Sequence, residues 1–403
     1  MTITCVLLTL GALISPGYGA PAAELFDRSD ALFQASESHT ATVIGTEGAR
    51  KGYTLKVDTV RFGAYSLEVT QQLDPETGWP PQEKRIWGDG YVRIGGLSGS
   101  WMYWFSLSAA VRLEGETKDL PDPPYCGLLM YCGLREVNNR RVVAEAIWQD
   151  TAGGHLRARY VAWRGVTDRF GYVLQYFPPP ERQLTSLTYK LFCTPLWYNT
   201  DRVRKRWLIT PLRSEEVPLE PSPIDLAQEW AMVFCTRYGL QTAGGTLALD
   251  SDSIEAATVS QSTAGTIGAL LTPRDPLGEV RVVMGDWAGE TYPIAAERYL
   301  GSLPAVKQDL ARTAEVKVAL PVPPTEAEEQ DVARLLALYP TLGEKFGAEL
   351  QSAHQELDES LAAAQEDSPA HFLRWYEANE RWKKAVGDMR AAWIKEKLWL
   401  QEG

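Results

Sequence analysis

Residues 142–177 read VVAEAIWQDTAGGHLRARYVAWRGVTDRFGYVLQYF. Three stretches of it, Val142 to Trp148, Leu156 to Trp163 and Phe170 to Phe177, are rich in β-branched and aromatic residues, and Asp150, Gly153, Gly154, Gly165 and Asp168 lie between them. Short apolar runs bounded by turn residues are the signature of strands. The same pattern extends outward to Lys51–Val57, Tyr65–Gln71, Trp101–Arg112 and Leu184–Phe192, and onward to Gly265–Leu270, Val280–Met284 and Thr291–Ala295. Many strands with few helices between them predict a mainly β protein, an antiparallel β-sandwich or jelly roll spanning 23–312. Ser222 to Tyr238 interrupts the pattern, because Leu226, Trp230 and Phe234 recur at helical spacing and predict one helix. The β region is then one large sandwich or two smaller ones with a break near 215–240.

Composition changes at Thr313. Residues 313–324, with Pro321, Pro323 and Pro324, form a linker, and 325–403 a helical C-terminal domain. Thr325 and Glu328 have the spacing of a capping box, which opens a first helix running to Leu338. A second helix carries Phe346, Leu350, His354, Leu357 and Leu361 on one face, and a third begins with Ser368 as N-cap and Pro369 at its first position. Phe372, Trp375, Trp382, Val386, Met389 and Trp393 form a heptad seam on that third helix, which needs a partner: the second helix folded back as a hairpin, or a second copy of the chain. This tail holds 16 acids against 9 bases.

The N-terminus reads as an export signal. Ile3 to Ile14 is almost wholly apolar, Ser15-Pro16-Gly17 breaks it, and Ala20-Pro21-Ala22 places alanine where a signal peptidase requires small residues, so cleavage is expected near Ala22. The signal's first residues lack Lys and Arg, and an uncleaved buried strand is the alternative reading. The run is shorter than the about 20 apolar residues a membrane span needs, and no later segment approaches that length. The predicted location is therefore secreted or periplasmic, with no transmembrane segment. A net charge of -12 without a clustered basic surface excludes a nucleic-acid partner. Beyond Cys5 in the signal, Cys126, Cys132, Cys193 and Cys235 allow two disulfides, although Cys126 and Cys132 in one strand would stand about 20 Å apart and could not bond each other. Four buried free thiols are the alternative.

Trp79, Trp87, Tyr91, Trp101, Tyr103 and Trp104 crowd one short segment. Aromatic faces stack on the apolar faces of sugar rings, so Trp79, Trp87, Tyr91, Trp101 and Trp104 are candidate ligand-binding residues for a poly- or oligosaccharide, with core packing as the competing explanation. Trp79 and Trp87 lie in turn contexts that favour exposure. Catalytic motifs are absent: there is no HExxH, GxSxG, Walker loop or Cys-x-x-Cys pair, and no cofactor or metal is expected. Asp122, Glu136, Glu145 and Asp150 are candidate glycosidase acids, and Asn139, Arg140, His155, Arg157 and Tyr160 are of the residue types a polysaccharide lyase uses. Asp250-Ser251-Asp252 resembles a fragment of a calcium loop but reads better as a turn.

Gly63-Ala64-Tyr65-Ser66-Leu67-Glu68-Val69 resembles the Gly-x-x-Ser-Leu-x-Val strand near the start of carbohydrate-binding, galactose-binding-like jelly rolls in secreted polysaccharide-active proteins, with Leu25-Phe26 as the opening strand. The likeness covers about residues 24–70 and implies a jelly roll with a glycan ligand. The expected function is that of a secreted, non-catalytic, glycan-associated binding protein. A polysaccharide-degrading hydrolase or lyase is the first alternative, and a cell-envelope structural or assembly protein using the helical seam is the second.

Overall fold

The computed structural model describes residues 33–44, 52–80, 90–95, 101–102, 108–116, 127–195, 206–236, 243–262, 265–288, 291–318, 321–364 and 366–401. The signal segment 1–22, Leu25-Phe26, Trp87, Trp104, Asp122 and Cys126 lie outside them. In chain order the strands are β1 (Gln34–Ile44), β2 (Tyr53–Gly63), β3 (Tyr65–Leu73), β4 (Gly90–Gly95), β5 (Trp101–Met102), β6 (Ser108–Leu113), β7 (Leu128–Val137), β8 (Arg141–Gln149), β9 (His155–Trp163), β10 (Arg169–Phe177), β11 (Leu184–Pro195), β12 (Arg206–Ile209), β13 (Ser214–Glu216), β14 (Ser222–Pro223), β15 (Ala231–Thr236), β16 (Ala243–Leu249), β17 (Ile254–Gln261), β18 (Ile267–Pro273) and β19 (Val280–Ala288). The helices α1 (Tyr292–Gly301), α2 (Leu303–Ala314), α3 (Glu326–Leu338), α4 (Pro340–Ala363) and α5 (Pro369–Gln401) follow.

The strands form two antiparallel sheets. One has ten strands in the order β1-β2-β3-β4-β5-β11-β18-β17-β14, with β6 also paired to β11, and the other has nine in the order β13-β12-β15-β16-β19-β10-β9-β8-β7. They face each other across one core. The ten-stranded sheet supplies Val60, Phe62, Leu67, Val69, Leu187 and Tyr189, and the nine-stranded sheet supplies Trp148, Tyr160, Phe170, Tyr172 and Leu174. The Gly63–Val69 motif is explained by this packing. Gly63, at φ +61°, turns the chain between β2 and β3, and a Cβ there would come within 2.5 Å of the Ala162 side chain. Tyr65, Leu67 and Val69 then alternate into the core.

The nine-stranded sheet is buried on both faces. Its outer face carries Val143, Val161, Trp163, Val233 and Val283 under Ala296, Tyr299, Val306 and Leu310 of α1 and α2, and Tyr131 and Ile147 under α3, α4 and α5. That is why residues 142–177 read as nearly continuous apolar runs: both parities of β8 and β9 are buried, and apart from the paired Glu145, Arg157 and Arg159 their buried positions carry apolar or aromatic side chains. The seam of α5 is filled from within the chain. Phe372, Trp375, Trp382, Val386 and Met389 are buried with Phe346, Leu350 and Leu357 of α4, in the hairpin arrangement. The capping box forms as its spacing predicts, with Thr325 Oγ1 accepting from the Glu328 amide and the Glu328 carboxylate accepting from the Thr325 amide.

Two expected elements are corrected. Within the helix expected over 222–238, the described residues 222–236 are not helical but form β14, a turn and β15. Ala231 to Cys235 are all buried in a strand covered on both sides, so apolar residues at every position mimic helical spacing, while the Asp225 carboxylate caps the turn by accepting from the Ala227 amide at 2.9 Å. Thr291–Ala295 is not a strand but the start of α1, whose first turn carries Pro293 behind Thr291 as N-cap. Cys132, Cys193 and Cys235 are buried free thiols, so no disulfide joins them. No described helix is long and apolar enough to cross a membrane.

Leu357 is fully buried where α4 meets α5. Leu357→Ala should destabilise the protein by about 2–5 kcal/mol, read as a lower midpoint in urea unfolding.

Candidate functional site

α1, α2 and α5 pack on the nine-stranded sheet, with α4 packed on α5 and α3 on α4, and among the described residues no helix is grouped with the outer face of the ten-stranded one. Strand alternation sets the chemistry of that open face. Between the buried Val60, Phe62, Leu67 and Val69, the outward positions are Thr59, Arg61, Ser66 and Glu68, with Thr59 opposite Glu68 and Arg61 opposite Ser66. On β11, β17 and β18 the outward positions are Thr188, Lys190, Phe192, Thr258, Ser260, Leu270 and Thr272. It is a face of hydroxyls with a few charges and apolar side chains. The Lys190 ammonium stands 4.6 Å from the Phe192 ring centroid, and burial lowers its pKa.

Thr70 and Gln72 are outward positions that are nonetheless nearly buried, each 8% exposed. The orientation of Gln72 follows from its neighbour: Gln71 points inward, donating to the Gly127 carbonyl at 2.8 Å and accepting from the Leu129 amide at 2.9 Å, so Gln72 points out. Its Oε1 is shielded from solvent and accepts no hydrogen bond from the described residues. A buried acceptor without a donor costs about 1–3 kcal/mol, so its retention calls for an explanation.

The aromatic candidates surround this point in the chain. Trp79 is half-buried at the end of a turn leaving β3. The Asp74 carboxylate organises that turn by accepting from the Glu76 and Thr77 amides at 2.7 and 3.2 Å and from the Tyr53 hydroxyl at 3.2 Å, and the two amides hold its pKa below the usual carboxylate value. Tyr91 sits on β4 in register with Thr70, and Trp101 sits on β5 in register with Pro195. β4 and β5 are joined at Gly95 and Met102, which places both residues mid-sheet on neighbouring strands. Trp87 and Trp104 lie outside the described residues.

Of the candidate catalytic groups, Glu145 and Arg157 share one buried charge cluster and His155 lies near Asp150, while the others stand apart. Glu136 pairs in bidentate fashion with Arg141, both contacts at 2.9 Å, at the β7–β8 hairpin. Asp150 accepts from the Tyr176 hydroxyl at 2.5 Å and from two amides of its own turn. Arg157 lies on the outer face of β9 while Tyr160 is buried in the inter-sheet core, so these two point apart. Asn139 and Arg140 are at the exposed hairpin tip, and His155 is half-buried with its pKa lowered by that burial. Asp250 closes a turn and pairs with Arg281 at 2.7 Å. Among the described residues, no group of three or more His, Cys, Asp or Glu is placed to hold a metal ion.

Two polar clusters escaped sequence reasoning. Glu145, fully buried on the outer face of β8, is gripped by Arg135 and by Arg159 Nε at 2.8 Å. Burial works to raise its pKa, but the guanidiniums of Arg135, Arg159 and Arg157 outweigh burial and hold it below the usual value. The sequence signal was an acid inside an apolar strand facing the Arg-x-Arg of the next. The second cluster joins His39 Nδ1 on β1 to the buried Asp58 carboxylate on β2 at 2.7 Å, with Glu37, Lys56 and the buried Cys132 thiol nearby.

No family model matches the chain, and no curated protein matches it. It is similar to a crystal structure of a candidate aldose 1-epimerase from Klebsiella pneumoniae at a TM-score of 0.31 and 9% identity, covering 71% of this chain and 90% of that one. A likeness of that size carries no ligand or activity across. The jelly-roll resemblance therefore rests on the Gly63–Val69 strand alone.

The His39 pair has a defined pH signature. The hydrogen bond that the His39 ring donates to the Asp58 carboxylate raises the histidine pKa above 6.5, so the bond's contribution to stability is complete below pH 6.5 and fades as pH rises through the raised value. Stability measured by urea unfolding should fall across that window in the native chain, and Asp58→Asn should flatten the fall.

Proposed function

We propose that this is an exported, non-catalytic glycan-associated binding protein that holds an oligosaccharide against the outer face of its ten-stranded sheet, around β3 and β4. The observation that carries this reading is Gln72. An outward, shielded carbonyl oxygen without a donor stands in a face lined with threonine and serine hydroxyls, beside the Trp79 turn and in the strand adjoining Tyr91. Sugar hydroxyls are donors suited to such an acceptor, and their ring faces suit neighbouring aromatic side chains. Trp79, Trp87, Tyr91, Trp101 and Trp104 are the residues proposed to stack. The proposed export rests on the apolar run and the small residues at the expected cleavage site within residues 1–22.

Screening the mature chain on a glycan array tests the reading, followed by Trp79→Ala, Trp87→Ala and Gln72→Met. Methionine matches the length of glutamine but cannot accept the sugar's hydrogen bond. Gln72→Met should lose about tenfold in affinity, one hydrogen bond's worth. Its thermal stability should be unchanged or higher, since a buried unpaired acceptor has been removed. Absence of binding to any glycan, or binding that all three substitutions leave intact, overturns the proposal.

A further inference from the structure

We propose that Arg157 and Arg159 form an anion-binding site that the chain fills with its own Asp367, and that the carboxylate or sulfate group of an external ligand can take that place. Arg157 Nη1 meets Asp367 Oδ1 at 2.6 Å and its Nη2 meets Oδ2 at 3.3 Å. Arg159 Nη2 lies 2.7 and 3.0 Å from the same two oxygens. The Arg157 fork and the Arg159 Nη2 thus hold one carboxylate between them, with Arg157 in the two-nitrogen arrangement by which arginine recognises oxyanions.

Three features separate this from an ordinary ion pair. The first is exposure: the arginine side chains are 4% and 2% exposed, whereas Asp367 is 58% exposed. The carboxylate is the solvent-side plug of a buried cationic site. Second, Asp367 belongs to neither helix, lying in the turn between α4 and α5. Third, the site is positive without it. Arg135, Arg157 and Arg159 converge on Glu145, and the remaining acid, Glu279, reaches Arg159 Nη1 only at 3.5 Å. The forks stay aimed when the plug leaves, because Arg157 also donates to Gln175 Oε1 at 2.6 Å and stacks 4.7 Å over Phe177, while Arg159 holds Glu145.

A tethered carboxylate competes at an effective concentration on the order of millimolar, so a monovalent anion displaces it poorly and a ligand with several anionic groups does so readily. A polymer of sugar acids has that chemistry. This site lies on the opposite sheet from the proposed glycan face and shares no residue with it, so either can fail without the other.

The test uses full-length Asp367→Ala and Asp367→Asn, melted in acetate, sulfate, glucuronate or neutral glucose at constant ionic strength balanced with chloride. Both variants should melt below the native chain, and the anions but not glucose should restore a saturable part of the loss. Combining Arg157→Gln with Asp367→Asn should abolish that rescue. Stronger rescue by glucuronate identifies a sugar acid as the ligand, and equal rescue by acetate and sulfate identifies a free anion. In the native chain, polygalacturonate should speed hydrogen exchange at the Phe372 amide, which donates to the Ser368 carbonyl in the displaced turn. No saturable rescue in either variant, rescue that survives Arg157→Gln, or a native turn indifferent to polygalacturonate overturns the proposal.

Discussion

A carboxylate with no access to water has to be paired, and Glu145 determines how this molecule closes. It stands on the outer face of the nine-stranded sheet, in a strand otherwise apolar from Val142 to Trp148, and an unpaired charge there would cost several kcal/mol. Arg135 and Arg159 neutralise it from the flanking strands, and Arg157 and Arg159 then reach out to Asp367 in the helical tail. The tail is seated by that chain of charges and by apolar contacts around it. Tyr131 packs edge-on against Phe372 and Tyr376 at 4.9 and 5.0 Å, and the Arg135 guanidinium lies 3.8 Å over the Phe372 ring. Further along the same sheet, Asp309 of α2, itself buried, takes Arg169 Nε at 2.7 Å.

Covering one sheet on both sides divides the work between the two. The nine-stranded sheet becomes a structural slab, apolar on each face apart from its paired charges. The ten-stranded sheet keeps an amphipathic pattern, with its apolar parity in the core and its hydroxyl-bearing parity outward. The segment with the chain's densest run of tryptophan and tyrosine contributes strands to the middle of that second sheet. The free acceptor of Gln72 belongs to the same region.

Much of this was legible beforehand, for physical reasons that differ by segment. β8, β9 and β10 were readable because strands buried on both faces are short apolar runs cut by Gly and Asp. The C-terminal helices were readable because Thr325 and Glu328 form a local cap, and because the seam of α5 repeats over many turns. Residues 222–238 misled for the same reason that β8 was clear, since a strand apolar at every position also fits a helix. The link from the Glu145 cluster to the tail was out of reach: Asp367 is 210 residues from Arg157 in sequence, and no local pattern joins them. The turn around Trp79 was visible in its Asp, Pro and Gly, but the unpartnered state of Gln72 depends on what surrounds it in space.

The division between a covered sheet and one proposed to bear the ligand is tested most directly by hydrogen exchange on the full chain, with and without the tightest-binding oligosaccharide from the array. Slower exchange confined to β2, β3, β4 and the 74–79 turn, with β7, β8 and β9 unchanged, is the predicted result. Protection centred on β7 to β9 and the α4–α5 turn, with none on β2 to β4, would contradict it.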